Sequence, residues 1–484
     1  MKTGPVMVSL LLLILAVAIE DSVSANNATA ENISVINESD PVAWFNKGCI
    51  LLNLSKYNES LEAFNKAIAL NESYAEAWTY KGAALINLSK YNESLDCFKK
   101  AIQLAPNYAR AWNGKGIALF SLGKYNESIE AYDEAIEIDP KYKWPWNNKG
   151  LALAALGKYN ESIVYYDNAI ELAPQNAGIW NNKGIVLRNL GKYNESIEAY
   201  DRAIEIDPKL ANAWNNKGRA FLALGKYNES IEAFNRAIEI DPEYKWAWAN
   251  KGNALRSLGR YNESIEAYDK AIELDPKWAP PWRDKGNSLY DLGKYNESLD
   301  AFSKAIEIDL NYTDAWNDKG RAFLALGKYN DSIEAFNKAI ELDQNYVHAW
   351  NNKGLALADL EKYNESIEAY DKAIEIDQNY TSSWNNKGNA LRSLGKYNES
   401  IEAYNKAIAI DPEHKWAWRN KGNSLYDLGK YNESLNAFCR AIEIDPIYTD
   451  AWYDKGRALA ALGKYNESIE AYDKAIDINP YVFG

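Results

Sequence analysis

Hydrophobic and polar positions alternate with a helical beat, and the beat restarts every 34 residues. In Trp214 to Ala247 (WNNKGRAFLALGKYNESIEAFNRAIEIDPEYKWA), Trp214, Gly218, Phe221 and Leu224 share one face at helical spacing. That spacing predicts a first helix, with Gly225 placed to end it in the left-handed conformation. Gly218, one turn below Trp214, is expected to make room for a ring or a neighbouring helix. Tyr227, Ile231, Phe234 and Ile238 form a second apolar stripe with Ala237 beside it, which predicts a second helix. Asp241-Pro242 closes that helix, because proline lacks a backbone N–H and restricts the residue before it. The unit reads as an antiparallel helical hairpin followed by a sharp turn.

Moved by the same period, Trp44 recurs as Trp78, Trp112, Trp146, Trp180, Trp214, Trp248, Trp282, Trp316, Trp350, Trp384, Trp418 and Trp452. A fixed period of this length marks a solenoid, in which one unit cannot bury its apolar face alone. Thirteen units run over residues 41–482 and leave 483–484 as a C-terminal tail. They were not copied one by one. NALRSL, NSLYDL and RAFLAL at Asn253, Asn287 and Arg321 return as NALRSL, NSLYDL and RALAAL at Asn389, Asn423 and Arg457, four units later.

The order Trp, Gly, an aromatic or Leu, then Gly, Tyr, a small residue, an aromatic, Ala and Pro resembles the tetratricopeptide repeat family. All thirteen units keep the Trp, the first Gly, the Tyr and the Ala. The resemblance implies an all-α fold: a right-handed superhelical solenoid of antiparallel helical hairpins whose first helices line a concave face. It also implies a protein or peptide partner. Three departures stand out. Lys47, Lys81, Lys217 and their equivalents replace a usual Leu, and Ser60, Ser94, Ser230 and theirs replace a usual Ala. Glu72, Leu310, Gln344 and Gln378 replace the turn proline, so those four turns are expected to be less constrained.

Residues 1–25 break the pattern. Lys2, the apolar run from Val6 to Ile19 and the small residues Val23-Ser24-Ala25 read as a secretory signal peptide, with an uncleaved membrane anchor as the alternative. Residues 26–40 are small and polar and read as a flexible lead-in. At the other end Asn479-Pro480 is followed only by Tyr481-Val482-Phe483-Gly484, with no polar capping helix. Either this apolar tail folds back over the last unit or the end meets another molecule, which makes self-association through the C-terminal end an expectation.

Composition changes the picture mainly by exclusion. A net charge of −14 argues against nucleic acid as a partner. Cys49, Cys97 and Cys439 are too few and scattered for a disulfide framework. His348 and His414 are the only histidines, and neither belongs to a metal-ligand or catalytic constellation. The chain is therefore expected to be no enzyme and to need no cofactor or metal.

Specificity should reside in first-helix positions that differ between units. The position after the first Gly, and the one three further on, make Ile117, Phe120 and Leu151 candidates for an apolar end of the groove. Arg219, Asn253, Arg256, Asn287, Tyr290, Arg321, Asn389, Arg392, Asn423, Tyr426 and Arg457 are the polar candidates; Arg188 also occupies this series. Some members of the family grip a C-terminal carboxylate with a basic and Asn clamp. Arg283 and Asn287 fit its start, but Asp318, His348 and Asn352 stand where Asn and basic residues are needed, so that clamp is not present as such. Trp144, Trp246, Trp278 and Trp416 are extra tryptophans near the repeat Trp. They are candidates for stacking on a sugar ring or a peptide, against the simpler reading that they pack across a turn.

Every unit carries Asn-Glu-Ser or Asn-Asp-Ser after its Tyr, at Asn58, Asn92, Asn126, Asn160, Asn194, Asn228, Asn262, Asn296, Asn330, Asn364, Asn398, Asn432 and Asn466. Further sequons are Asn27, Asn32, Asn37, Asn53, Asn71, Asn87, Asn311 and Asn379. The structural explanation is Asn as a helix N-cap with Ser in a small position. Against it, Ala would pack there equally well, so the invariant Ser points to N-glycosylation on an exported chain. Together these features suggest an exported, N-glycosylated repeat scaffold at the cell surface or secreted, binding a protein or peptide segment. The alternatives are a self-associating structural or adhesive protein and a glycan-binding surface.

Overall fold

The computed structural model describes residues 38–479. The predicted signal segment 1–25, the sequons Asn27, Asn32 and Asn37, most of the lead-in and the C-terminal tail lie outside the described residues. Among those described are 26 helices and no strand. First helices run from Pro41–Asn53 to Thr449–Ala461 and second helices from Tyr57–Leu70 to Tyr465–Ile478, alternating along the chain. Glu38 to Asp40, read above as lead-in, belong structurally to the first hairpin. Asp40 accepts the Val42 N–H at 2.8 Å, and the Glu38 carbonyl accepts the Trp44 indole N–H at 3.1 Å.

The chain forms two compact units, Met1–Ala254 and Leu255–Gly484. Inside each, a second helix packs against the first helix of its own repeat and against the next first helix. First helices also touch the following first helix, whereas successive second helices do not pack to the same extent. Within a unit the first-helix side is therefore the tighter side of the curve.

One close approach makes the hairpin. The ring of Phe234 lies on Gly218, so close that a Cβ there would sit 2.6 Å from the ring. Gly48 meets Phe64 and Gly354 meets Tyr370 in the same way, each at 2.5 Å. These rings are buried, and they form the middle of the core. Gly225 takes φ +71°, the predicted left-handed helix end. Ser55, Ser89 and Glu361 adopt the same conformation at φ 59°, at roughly 1–2 kcal/mol of steric cost each.

The departures from the family pattern each have a contact behind them. Lys217 Nζ lies 5.3 Å from the centre of the Trp214 ring and 2.6 Å from the Asp201 carboxylate. A lysine here supplies both a cation–π contact and an ion pair across to the previous second helix, which a leucine cannot. Ser230 Oγ donates to the Gly218 carbonyl at 2.8 Å, and Ser60, Ser94 and Ser332 repeat that bond. Alanine is thus not equivalent at this position, contrary to the sequence reading: the serine hydroxyl ties the two helices together.

The four turns without proline are held by the same bonds as the rest. Trp214 Nε1 donates to the Pro208 carbonyl at 3.2 Å, and Trp78, Trp316, Trp350 and Trp384 donate equally well to Glu72, Leu310, Gln344 and Gln378. Asp309, Asp343 and Asp377 each accept the N–H two residues on, and Asn71 does so for Ser73. An Asx turn and the tryptophan replace the rigidity that proline would bring.

Candidate functional site

The first-helix side is built on a ladder of buried amides that sequence reasoning missed. Asn148 donates to Asn113, Asn182 to Asn147, Asn216 to Asn181 and Asn250 to Asn215, all at 3.0 Å or near it. In the second unit Asn352 donates to Asn317, Asn386 to Asn351 and Asn420 to Asn385. The Asn-Asn pairs after Trp146, Trp180, Trp214, Trp350 and Trp384 were visible in the sequence. Their partners lie 35 residues away, so only stacking brings them together.

Twice in the second unit the ladder becomes ionic. Asp318, almost fully buried, receives Arg283 Nε at 2.7 Å, Asn287 Nδ2 at 3.3 Å and Arg321 Nη1 at 3.3 Å. Asp454 receives Arg419, Asn423 and Arg457 in the same arrangement four repeats later. Arg283 also pairs with Asp314, and Arg419 with Asp450. Burial pulls the Arg283 pKa down, but Asp318 and Asp314 carry it above the usual arginine range. Close by, burial pushes the Asp284 carboxyl up to about 6 against the opposing pull of Arg283 and Arg256.

These contacts re-sort the candidate groove residues. Ile117, Phe120 and Leu151 are 4%, 5% and 2% exposed and pack in one core cluster with Phe98 and Tyr132. The expected apolar end of the groove is therefore packed core, because neighbouring hairpins close over it. Arg256 is paired with Asp291 and Arg392 with Asp427. Asn389 accepts the Tyr404 hydroxyl, and Asn287, Asn423, Arg321 and Arg457 belong to the two aspartate nodes. Arg321 and Arg457 in turn cover the half-exposed rings of Tyr290 and Tyr426. Asn253 is half-exposed. Arg283 and Asn287, where a carboxylate clamp would begin, are already committed to Asp318.

The extra tryptophans divide. Trp144 is buried, with Lys143 over its ring, so it packs rather than presents a stacking face. Trp246 and Trp278 are half-buried, and Trp416 is 53% exposed with His414 edge-on to it. His414 Nδ1 accepts the Ala417 N–H at the start of a first helix, and His348 Nδ1 lies 3.1 Å from the Tyr380 hydroxyl. Burial raises the thiol pKa of Cys49 to about 12 and of Cys97 to about 11, which leaves both as poor nucleophiles at neutral pH. Among the described residues no group of acidic, His and Cys side chains could hold a metal, and no helix is long and apolar enough to cross a membrane.

The repeated sequon has a mixed geometry. Asn228 and its twelve equivalents are exposed on the second residue of each second helix, and the capping residue before them, Lys226 in this repeat, makes no side-chain cap bond. The asparagine is thus not an N-cap. Asn53, Asn71, Asn311 and Asn379 are exposed as well, while Asn87 is half-buried and donates to the Ala83 carbonyl.

Tetratricopeptide repeat profiles match residues 41–74, 75–108, 109–142, 144–176, 246–277 and 382–414, residues 175–243, and residues 283–346, 317–381 and 419–482. No curated protein matches the sequence. Among solved structures, a chain of the APC/C hetero-tetramer Cut9-Hcn1 is 15% identical over 87% of this chain and 90% of its own, with a TM-score of 0.44. Yeast Tom70 is 15% identical over 91% of this chain and 98% of its own, with a TM-score of 0.43. YrrB, a repeat protein with an unusual peptide-binding site, is 27% identical over 39% of this chain and 96% of its own, with a TM-score of 0.32.

Proposed function

This chain belongs to the tetratricopeptide repeat family, and from that premise we propose that it is an exported protein-interaction scaffold whose first-helix side holds an extended segment of a protein partner. One observation carries the reading. Apart from the exposed sequon asparagine, the side chains that mark every repeat serve the fold: Trp on the turn, Gly under the ring and, in most repeats, Ser on the Gly carbonyl. Side chains that differ between repeats gather on the first-helix side, and Arg219, Tyr290, Arg321, Arg392 and Tyr426 stay half-exposed there. A surface that varies on an invariant frame is what graded recognition along a segment requires. The test is binding of full-length chain to an array of short blocked peptides, with Tyr290→Ala and Tyr426→Ala as probes. Loss of binding at unchanged melting temperature supports the reading; no retained peptide, or undiminished binding by both variants, overturns it.

Export rests on the charged start, apolar run and small-residue site in residues 1–25, and glycosylation on the exposure of the sequon asparagines. The invariant serine no longer adds support, since its hydroxyl has a structural partner. Intact mass and peptide mapping of protein from its own host decide both. Loss of residues 1–25 with sugar on Asn-Glu-Ser peptides is the expected result, and a full-length unmodified chain overturns it.

The runner-up is self-association, favoured by the last described helix. Tyr465, Ile469 and Ile476 are 68%, 58% and 39% exposed there, whereas Ile442, the counterpart of Ile476 one repeat earlier, is 8% exposed. Sedimentation that rises with concentration supports this reading, and a strict monomer removes it.

A further inference from the structure

Ten of the thirteen arginines in the chain pair with a carboxylate. Arg188 and Arg219, neighbours on consecutive first helices, do not. Among the described residues neither has an acidic partner, and the bond Arg188 makes is a long one, Nη2 to Asn189 Oδ1 at 3.5 Å. This is unexpected in a chain of net charge −14. The first helices Lys143–Ala155, Ala177–Asn189 and Ala211–Ala223 contain no acidic residue at all. Burial, and then the charge of Arg188, lowers the Arg219 pKa to about 10. The two guanidinium groups thus repel each other in a half-buried place where only the tyrosines Tyr200 and Tyr244, and no carboxylate, oppose the effect.

Unsatisfied buried groups lie beside the two arginines and further along the same first helix. Arg188 Nη1, Tyr200 Oη and Asn212 Oδ1 are three of the five buried side-chain polar atoms without a hydrogen-bond partner among the described residues. Tyr200 feels the charge of both arginines, and Tyr244 lies beside Arg219. Each orphaned group has given up its water without gaining a hydrogen bond in return. Such groups along one stretch of an otherwise well-bonded ladder mark a place that a ligand completes.

We propose that Arg188 and Arg219 form a two-cation site for the side-chain carboxylate of an acidic residue in the partner segment; this rests on the segment-binding reading above. Two guanidinium groups offer forked N–H donors that match a carboxylate. The orphaned Asn212 Oδ1 needs a donor, which a peptide backbone N–H supplies and a bare sulfate does not. Asn212 and Arg219 are seven residues apart on one helix face, about 10 Å along the axis. An extended peptide covers that distance in about three residues. The site therefore takes an Asp or Glu whose neighbour some three positions away bonds to Asn212. It is distinct from the Asp318 and Asp454 nodes, where the chain already supplies its own carboxylate.

Full-length chain and its Arg188→Gln and Arg219→Gln variants are tested on two probes. The first is thermal unfolding in inorganic phosphate against chloride at equal ionic strength. In chloride the variants are expected to melt above the parent, because an uncompensated buried charge is gone, and phosphate is expected to narrow the gap by stabilising the parent more. The second is the array of blocked peptides, each acidic member paired with its Gln or Asn analogue. The parent is expected to prefer acidic members by about tenfold or more, and the variants to lose that preference. Equal phosphate response in parent and variants, or peptide binding that ignores both substitutions, overturns the site alone. Phosphate discrimination with no peptide retained by the parent overturns the segment as occupant, and the proposed function with it.

Discussion

The hydroxyl of Ser230 donates to the carbonyl of Gly218 across the two helices of one hairpin, 2.8 Å apart and fully buried. The same serine completes the Asn-Glu-Ser triplet that reads as a glycosylation signal. One residue type thus carries a structural reason and a modification signature at once, and the two separate by substitution. Ser230→Ala is expected to cost about 1 kcal/mol by leaving the Gly218 carbonyl short of a donor. Asn228→Gln, at an exposed position, is expected to leave stability unchanged in a host that adds no sugar. Urea unfolding of the two variants checks this; equal midpoints would remove the structural role of the serine.

Gly218 lies under the Phe234 ring. An added Cβ would stand 2.6 Å from it, so Gly218→Ala is expected to destabilise by about 1–3 kcal/mol. Phe234→Leu should recover part of that loss when combined with it, because a smaller side chain vacates the space. Thermal melts of the single and double variants test the coupling, and strict additivity would argue against the contact.

Asp318, itself buried, neutralises the half-buried Arg283. Asp318→Asn is expected to cost about 1–3 kcal/mol, since it leaves the half-buried Arg283 with only Asp314 as a charge partner. Asp454→Asn should cost about as much through Arg419. Arg283→Met together with Asp318→Asn should recover much of the loss. Denaturation midpoints read all three, and a free Asp318→Asn substitution would contradict the node.

Asp284 sets a pH dependence. Its carboxyl, raised by burial to about 6, lies above its unfolded value of about 3.9. The folded state therefore holds the proton more tightly than the unfolded one. The stabilisation that proton brings is fully present below about pH 4 and is lost as pH rises through about 6. Asp284→Asn is expected to be more stable than the parent at about pH 8, by up to about 3 kcal/mol, and level with it at about pH 4. Urea midpoints across that range decide it; a pH-independent difference would show that burial is not the cause.

Sequence alone carried the hairpin, the period, the left-handed helix end at Gly225 and the need for a small residue at Gly218. Each of these follows from spacing within one helix or across one turn, and such spacing is written directly in the chain. What the polar and apolar side chains were for was not written there. The serine bond spans 12 residues, the asparagine ladder and the Arg283 to Asp318 bond span 35, and each depends on how one helix stacks on another. Stacking buried Ile117, Phe120 and Leu151, which looked like an open groove, and it paired most of the arginines and asparagines that looked free to bind. It also left Arg188 and Arg219 together without an acid. A side chain's role in a repeat array depends on its partner in the next repeat, and packing between repeats chooses that partner.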